Sequence, residues 1–105
     1  MQRDFTYIDD IISGTRSAIN KNYTCEIFNL GNHSSEELMD VVHLIEENLR
    51  KKAKIEFLPM QPGDIPESLA DIEKSEKFLG FKPTTDISSG IKDFVKWYKD
   101  YNTVL

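Results

Sequence analysis

Apolar and polar positions along this chain switch between a period of two and a period of about 3.6, and the switches mark out its elements. The opening "RDFTYI" gathers Phe5, Tyr7 and Ile8 into an aromatic and β-branched run that predicts a strand over residues 3–8, stopped by Asp9 and Asp10. Ile8, Ile11, Ile12, Thr15, Ala18 and Ile19 then recur at helical spacing. A helix is expected there, capped by Asp9 and stopped at Lys21 and Asn22. Gly14 inside it costs about 1 kcal/mol relative to alanine, tolerable if a neighbouring element packs closely against that spot. "CEIFNLG" follows, nearly continuous in apolar character through Cys25, Ile27, Phe28 and Leu30, which predicts a strand buried on both faces as in a parallel sheet.

The second half repeats the alternation. Ser34-x-x-Glu37 fits a reciprocal capping box, and Leu38, Val41, Val42, Ile45 and Leu49 continue at helical spacing to Arg50, Lys51 and Lys52, which suit the negative end of the helix dipole. "KIEFLP" reads as a short strand with Ile55 and Phe57 on one side. Beyond it, Asp71 caps a short helix through Phe78 and Leu79, closed by Gly80 in the left-handed position. A last helix is expected from about Asp86, with Ile87, Ile91, Phe94, Tyr98 and Tyr101 as its apolar stripe and Lys96 with Asp100 as an exposed pair. The order β, α, β, α, β, α, α gives an α/β lobe of three strands and four helices. Three strands make a thin sheet with unpaired edges, which should seek partners by dimerising or exchanging segments.

Composition narrows the class. The 105 residues carry 39% hydrophobic and 30% charged side chains, ordinary for a globular domain, and no apolar run reaches the roughly 18 residues of a membrane span. Thirteen basic against eighteen acidic residues give a net charge of −5, with no segment that concentrates Lys and Arg. Nucleic acid is therefore not an expected partner. Cys25 cannot form an internal disulfide and reads as a small buried hydrophobe; with no signal-peptide pattern, the expected setting is the cytoplasm. His33 and His43 lack companions at metal-ligand spacing, so no metal site is expected. Trp97 and Tyr98 read as core or interface packing.

"QPGD" interrupts this pattern with unusual chemistry. Pro62 presets φ and Gly63 accepts positive φ, so the four residues suit a type II turn that holds Gln61 and Asp64 on its two sides.

"RDFTYIDDI" (3–11), "IFNLGN" (27–32), "FLPMQPGDIPESLADIEKSEKFLGFKP" (57–83) and "GIKDFVKWYKDY" (90–101) resemble the C-terminal part of NAD-dependent nucleotide-sugar epimerases of the extended short-chain dehydrogenase/reductase group, and the QPGD turn resembles UDP-glucuronate 4-epimerases in particular. The resemblance spans essentially the whole chain. It implies a C-terminal substrate-binding lobe of a Rossmann-type enzyme, with residues 1–32 supplying strands and a helix that complete the sheet of an N-terminal domain. Arg3 then reaches the substrate diphosphate, since a guanidinium fork pairs two phosphate oxygens. Asp64 contacts a ribose hydroxyl or orients a nearby base. Gln61 stands where many relatives carry an arginine on the pyrophosphate, so its role is the least defined. Asn29 sits at an expected strand end, where ligand crevices of α/β proteins form; a turn would explain it equally.

Two requirements of the family are unmet by these residues. Gly14, Gly31, Gly63, Gly80 and Gly90 are too far apart to build a dinucleotide loop. Tyr7, Tyr23, Tyr98 and Tyr101 are followed four positions later by Ile11, Ile27, Asn102 and Leu105, so the family's Tyr-x-x-x-Lys pair is missing. Asp9 and Asp10 could act as an acid/base pair, but capping explains at least one of them. The chain is thus expected to bind a UDP-sugar as part of an intact NAD-dependent 4-epimerase, to hold no NAD itself, to carry no catalytic residue, and to pair with the Rossmann domain and with a second copy. The alternative is a small stand-alone α/β interaction module without ligand.

Overall fold

Helical periodicity is a local property, and each of the four periodic segments folds as a helix. A computed structural model describes residues 1–103. Its elements are β1 (Gln2–Arg3), α1 (Ile8–Lys21), β2 (Glu36–Glu37), α2 (Leu38–Leu49), α3 (Glu73–Leu79) and α4 (Ile87–Thr103). Their ends follow capping chemistry. Asp71 Oδ1 accepts the Glu73 N–H at 3.1 Å, and Gly80, at φ 65°, closes α3 by donating to Glu76 O at 3.1 Å. Asp86 Oδ1 accepts the Ser89 N–H at 2.8 Å and starts α4.

Two expected caps are not formed. Ser34 Oγ bonds Glu36 Oε1 at 2.9 Å, and the Glu37 carboxylate takes Gln2 Nε2 at 2.6 Å. Both glutamates are drawn into β2, so α2 begins at Leu38 rather than Ser34. At the other site Tyr7 is the N-cap of α1 and Asp9 is exposed. Asp10 instead is buried and accepts the Thr84 N–H, the Thr84 hydroxyl and the Thr85 N–H at 3.2, 3.2 and 3.1 Å. It is a clasp between α1 and the entry to α4.

The lobe is α/β with four helices, and its sheet differs from the expected one. β1 and β2 pair antiparallel, Gln2 with Glu37 and Arg3 with Glu36, and Gln2 forms a parallel bridge to Glu67. Residues 4–7, 25–31 and 54–59 enter no ladder. A strand needs a backbone neighbour along its edge, and none of these stretches has one among the described residues. Ile27 and Phe57, each 81% exposed, show the consequence. Cys25, expected to be buried, is exposed with φ 48°.

The core is correspondingly small. Ile72, Leu79 and Phe81 are buried together, with Ala18, Phe28, Leu30 and Ala70 packed against them. Gly14 lets α1 approach this cluster, since a Cβ there would lie 2.6 Å from Leu30 Cδ2 and 2.9 Å from Phe81 Cδ1. The close neighbour expected at that position is present. α2 packs along α4, where Val41 and Val95 are buried. The α4 stripe departs from expectation: Phe94, Tyr98 and Tyr101 are at least half exposed, and the buried positions are Gly90 and Val95. Trp97 likewise lies outside, stacked on Tyr101 with ring centres 5.4 Å apart.

The 12.1 kDa chain exposes 8341 Å². A compact monomer of that mass exposes about 6,000 Å², leaving an excess of roughly 2,300 Å². The radius of gyration is 16.4 Å, against about 13 Å for a compact domain of this length.

Candidate functional site

The backbone of Gln2 ties the start of the chain to residues 66–68. Its N–H donates to Pro66 O at 2.8 Å and its carbonyl accepts the Ser68 N–H at 3.1 Å. Residues 66–68 therefore run beside β1 opposite β2, and Ser35 Oγ reaches across to Ser68 O at 3.2 Å. Arg3 lies on this three-stranded patch, half-buried, with Nη1 donating to Gln2 O at 2.9 Å.

The QPGD stretch forms the turn its residues dictate. The Asp64 N–H donates to Gln61 O at 3.1 Å, and Gly63 has φ 90°, where a side chain would be strained. Asp64 precedes Glu67, the bridge partner of Gln2, by three residues, at most about 10 Å of chain. The turn thus lies within a few residues of the stretch that pairs with Gln2, the chain neighbour of Arg3. Glu36 is the ladder partner of Arg3, and Glu37 and Glu67 are those of the neighbouring Gln2. That acidity weakens attraction for phosphate.

Asn29 is placed elsewhere. Its carbonyl accepts the Ser75 hydroxyl at the start of α3, and its exposed side chain borders a shallow concavity with Asp71, Glu73, Lys74 and Lys77. Sequence reasoning missed Asp4, whose carboxylate gathers the main-chain amides of Asn32, His33 and Ala70. Its one visible signal is an acid directly after Arg3 in an aromatic run.

Two titrating groups are displaced, both beside the junction of α1 and α4. Partial burial, then the Asp9 and Asp93 carboxylates, raise the Tyr7 hydroxyl above its ordinary value, which disfavours it as a base at neutral pH. The Ser89 main-chain and side-chain hydrogen bonds hold Asp86 below the usual aspartate value, against a smaller desolvation effect. Among the described residues no three His, Cys, Asp or Glu side chains cluster to hold a metal ion. No helix among them is long and apolar enough to cross a membrane.

Residues 1–94 match the family model described as GDP-mannose 4,6 dehydratase. An uncharacterised protein of Methanocaldococcus jannaschii is 52% identical over 98 residues, covering 93% of this chain and 30% of that protein. UDP-glucuronate 4-epimerase 4 of Arabidopsis thaliana is 40% identical over 116 residues, covering 94% of this chain and 26% of the enzyme. Among solved structures, UDP-glucuronic acid 4-epimerase of Bacillus cereus, in complex with UDP-glucuronic acid and NAD, superposes with a TM-score of 0.80 at 33% identity, over 92% of this chain and 32% of that one. UDP-glucose 4-epimerase of Bifidobacterium longum shares the fold with a TM-score of 0.87 at 24% identity, over 99% of this chain and 32% of its own. The chain spans about a third of the length of the relatives it matches.

Proposed function

Because the chain belongs to the GDP-mannose 4,6 dehydratase family and is most like UDP-glucuronate 4-epimerases within the nucleotide-sugar epimerases, we propose that it is the nucleotide-sugar-binding lobe of a UDP-glucuronate-type 4-epimerase. The observation that carries this reading is the pairing of Gln2 with residues 66–68. It puts Arg3 beside the strand leaving the Gln61–Asp64 turn, so one residue can meet phosphate while the other meets ribose or base. Gln61 lies on the same turn, whereas Asn29 borders a separate concavity beside α3 and is not part of this site.

The residues present do not fit NAD. Gly63 and Gly80 are isolated turn positions with open space around them, not a phosphate loop, and the raised Tyr7 has no lysine four positions on. Hydride and proton transfer therefore belong to the rest of a longer enzyme, and this lobe contributes binding and closure. The uncovered surface supports that division. An excess of roughly 2,300 Å² exceeds the ~800 Å² that one partner of a standard interface contributes. Ile8, Ile12, Ile19 and Ile27 form part of it. In the intact enzyme residues 1–32 would pack on the Rossmann domain, within the cytoplasm. Without that cover, the same faces support pairing of two copies.

Titrating UDP-glucuronate into the isotopically labelled chain tests the reading. Amide shifts are expected at Arg3, Gln61–Asp64 and Ser68, at millimolar concentrations because one lobe supplies few contacts. Shifts confined to other residues, or equally large in Arg3→Ala, would remove the assignment.

A further inference from the structure

We propose that Asp4 is the positioning residue of this site: its carboxylate holds Arg3 in register with the strand that leaves the Gln61–Asp64 turn. The proposal rests on the nucleotide-binding reading above. Asp4 Oδ1 accepts the Asn32 N–H at 3.1 Å, and Oδ2 accepts the N–H groups of His33 and Ala70 at 3.0 Å each. Arg3 is thereby flanked by two ties to one strand. On one side Gln2 pairs with Pro66 and Ser68; on the other Asp4 takes Ala70, two residues further along.

The knot is closed from the third stretch as well. His33 Nδ1 lies 2.7 Å from Ala70 O, which can only accept, so the Nδ1–H tautomer makes this bond. His33 holds φ 53° to do so. Gly31 permits the approach, because a Cβ there would lie 2.4 Å from Ala70 Cβ and 3.0 Å from Asp4 Oδ2. A backbone pulled this close leaves the clamp little freedom to slide.

The chemistry requires a carboxylate. Three donors converge on it, and an ionised carboxylate is acceptor-only with room for all of them. Asparagine offers one acceptor oxygen and turns an amide donor toward another donor. Register is what stands to be lost. A slip of one residue in β1 would move the Arg3 side chain to the opposite face of the patch. The short ladder of Gln2 and Arg3 alone supplies few bonds against such a slip.

Hydrogen exchange on the 105-residue chain with Asp4→Asn tests this without any ligand. The Gln2 and Ser68 amides are expected to exchange at least about fivefold faster, as for a loss near 1 kcal/mol, while Val95 between α2 and α4 keeps its protection. Unchanged protection at Gln2 and Ser68 overturns the proposal. If the variant does not fold, the native chain decides: scalar couplings across the hydrogen bonds from the His33 and Ala70 amides to Asp4 Cγ are expected, and their absence overturns it. A second arm compares Kd for UDP and uridine. The preference for UDP should fall about tenfold in the folded variant, the size of one charge-assisted contact; a retained preference shows that Asp4 does not position Arg3. If the native chain prefers neither ligand, the nucleotide reading fails, and exchange still decides the clamp.

Discussion

Residues 51–65 and residues 66–86 follow one another along the chain, yet only the second stretch is held. The first contains Ile55, Phe57, Leu58, Met60 and Ile65, and each of its residues is exposed. Its hydrogen bonds lie near its ends, where Ala53 donates to Glu46 Oε2 at 2.7 Å and Asp64 to Gln61 O. The second is more polar, but it supplies Ile72, Leu79 and Phe81 to the core. It also gives main-chain amides to the carboxylates of Asp4, Asp10 and Asp71, and at its end Asp86 takes the Ser89 amide. Apolar content does not decide order here. What decides it is whether a surface and a set of acceptors lie alongside, and in this lobe three aspartates provide the acceptors for residues 66–86.

The contrast is broken most severely at Phe81. Its ring is 3% exposed and packs in one cluster with Ile72 and Leu79, close to Gly14 of α1. Phe81→Ala removes the largest member of a small core, at a cost of about 3–5 kcal/mol. A domain of ordinary stability holds only about 5–15 kcal/mol. Urea unfolding followed by circular dichroism should show the midpoint of the variant lowered by the equivalent of about 3–5 kcal/mol. A loss below about 1 kcal/mol would mean that this cluster does not order residues 66–86.

The same contrast explains what the amino-acid sequence revealed. All four helices were legible because a helix closes its hydrogen bonds within itself, and the Asp71, Gly80 and Asp86 signals are local too. The QPGD turn was legible for the same reason. The strands were not. "CEIFNLG" and "KIEFLP" have strand composition, but strand formation depends on a neighbour that these residues do not supply. Arg3 and Asp64 could be named from resemblance, whereas the bridge between Gln2 and Glu67 could not, because it joins residues 65 apart. Asp4 escaped notice because its bonds span 28 to 66 residues. Asp10 reads only as one of an acid pair, at least one of which caps, because its partners lie 74 and 75 residues away.

An intermediate effect is expected from acid, at the far end of the held stretch. Asp86 titrates below the ordinary 3.8 because the Ser89 main-chain bond, then its side-chain bond, favour the charged form. Above that value the carboxylate is ionised whether the chain is folded or not, so its contribution is complete. As pH falls below 3.8 the unfolded chain takes the proton first, and the contribution is lost through the lower folded value. The Ser89 amide shift, followed by NMR, should titrate with a midpoint below 3.8, and Asp86→Asn should abolish that step. A midpoint at or above the ordinary value would mean that this cap does not hold α4.

Phe57→Ser carries the smallest expected change in stability and the sharpest reading of the comparison. Phe57 is 81% exposed and lies in the stretch tied only near its ends. Replacing an unpacked side chain changes the free energy of unfolding by less than about 0.5 kcal/mol, so urea midpoint and slope should both match the native chain. Its apolar ring still has a use for a partner, because an exposed aromatic in an extended, alternating segment invites association with another surface. Sedimentation at rising concentration should therefore show weaker self-association in the variant than in the native chain. A destabilisation above 1 kcal/mol at low concentration, where association is absent, would mean that residues 51–65 pack against the lobe in solution, and the two stretches would then differ in degree rather than in kind.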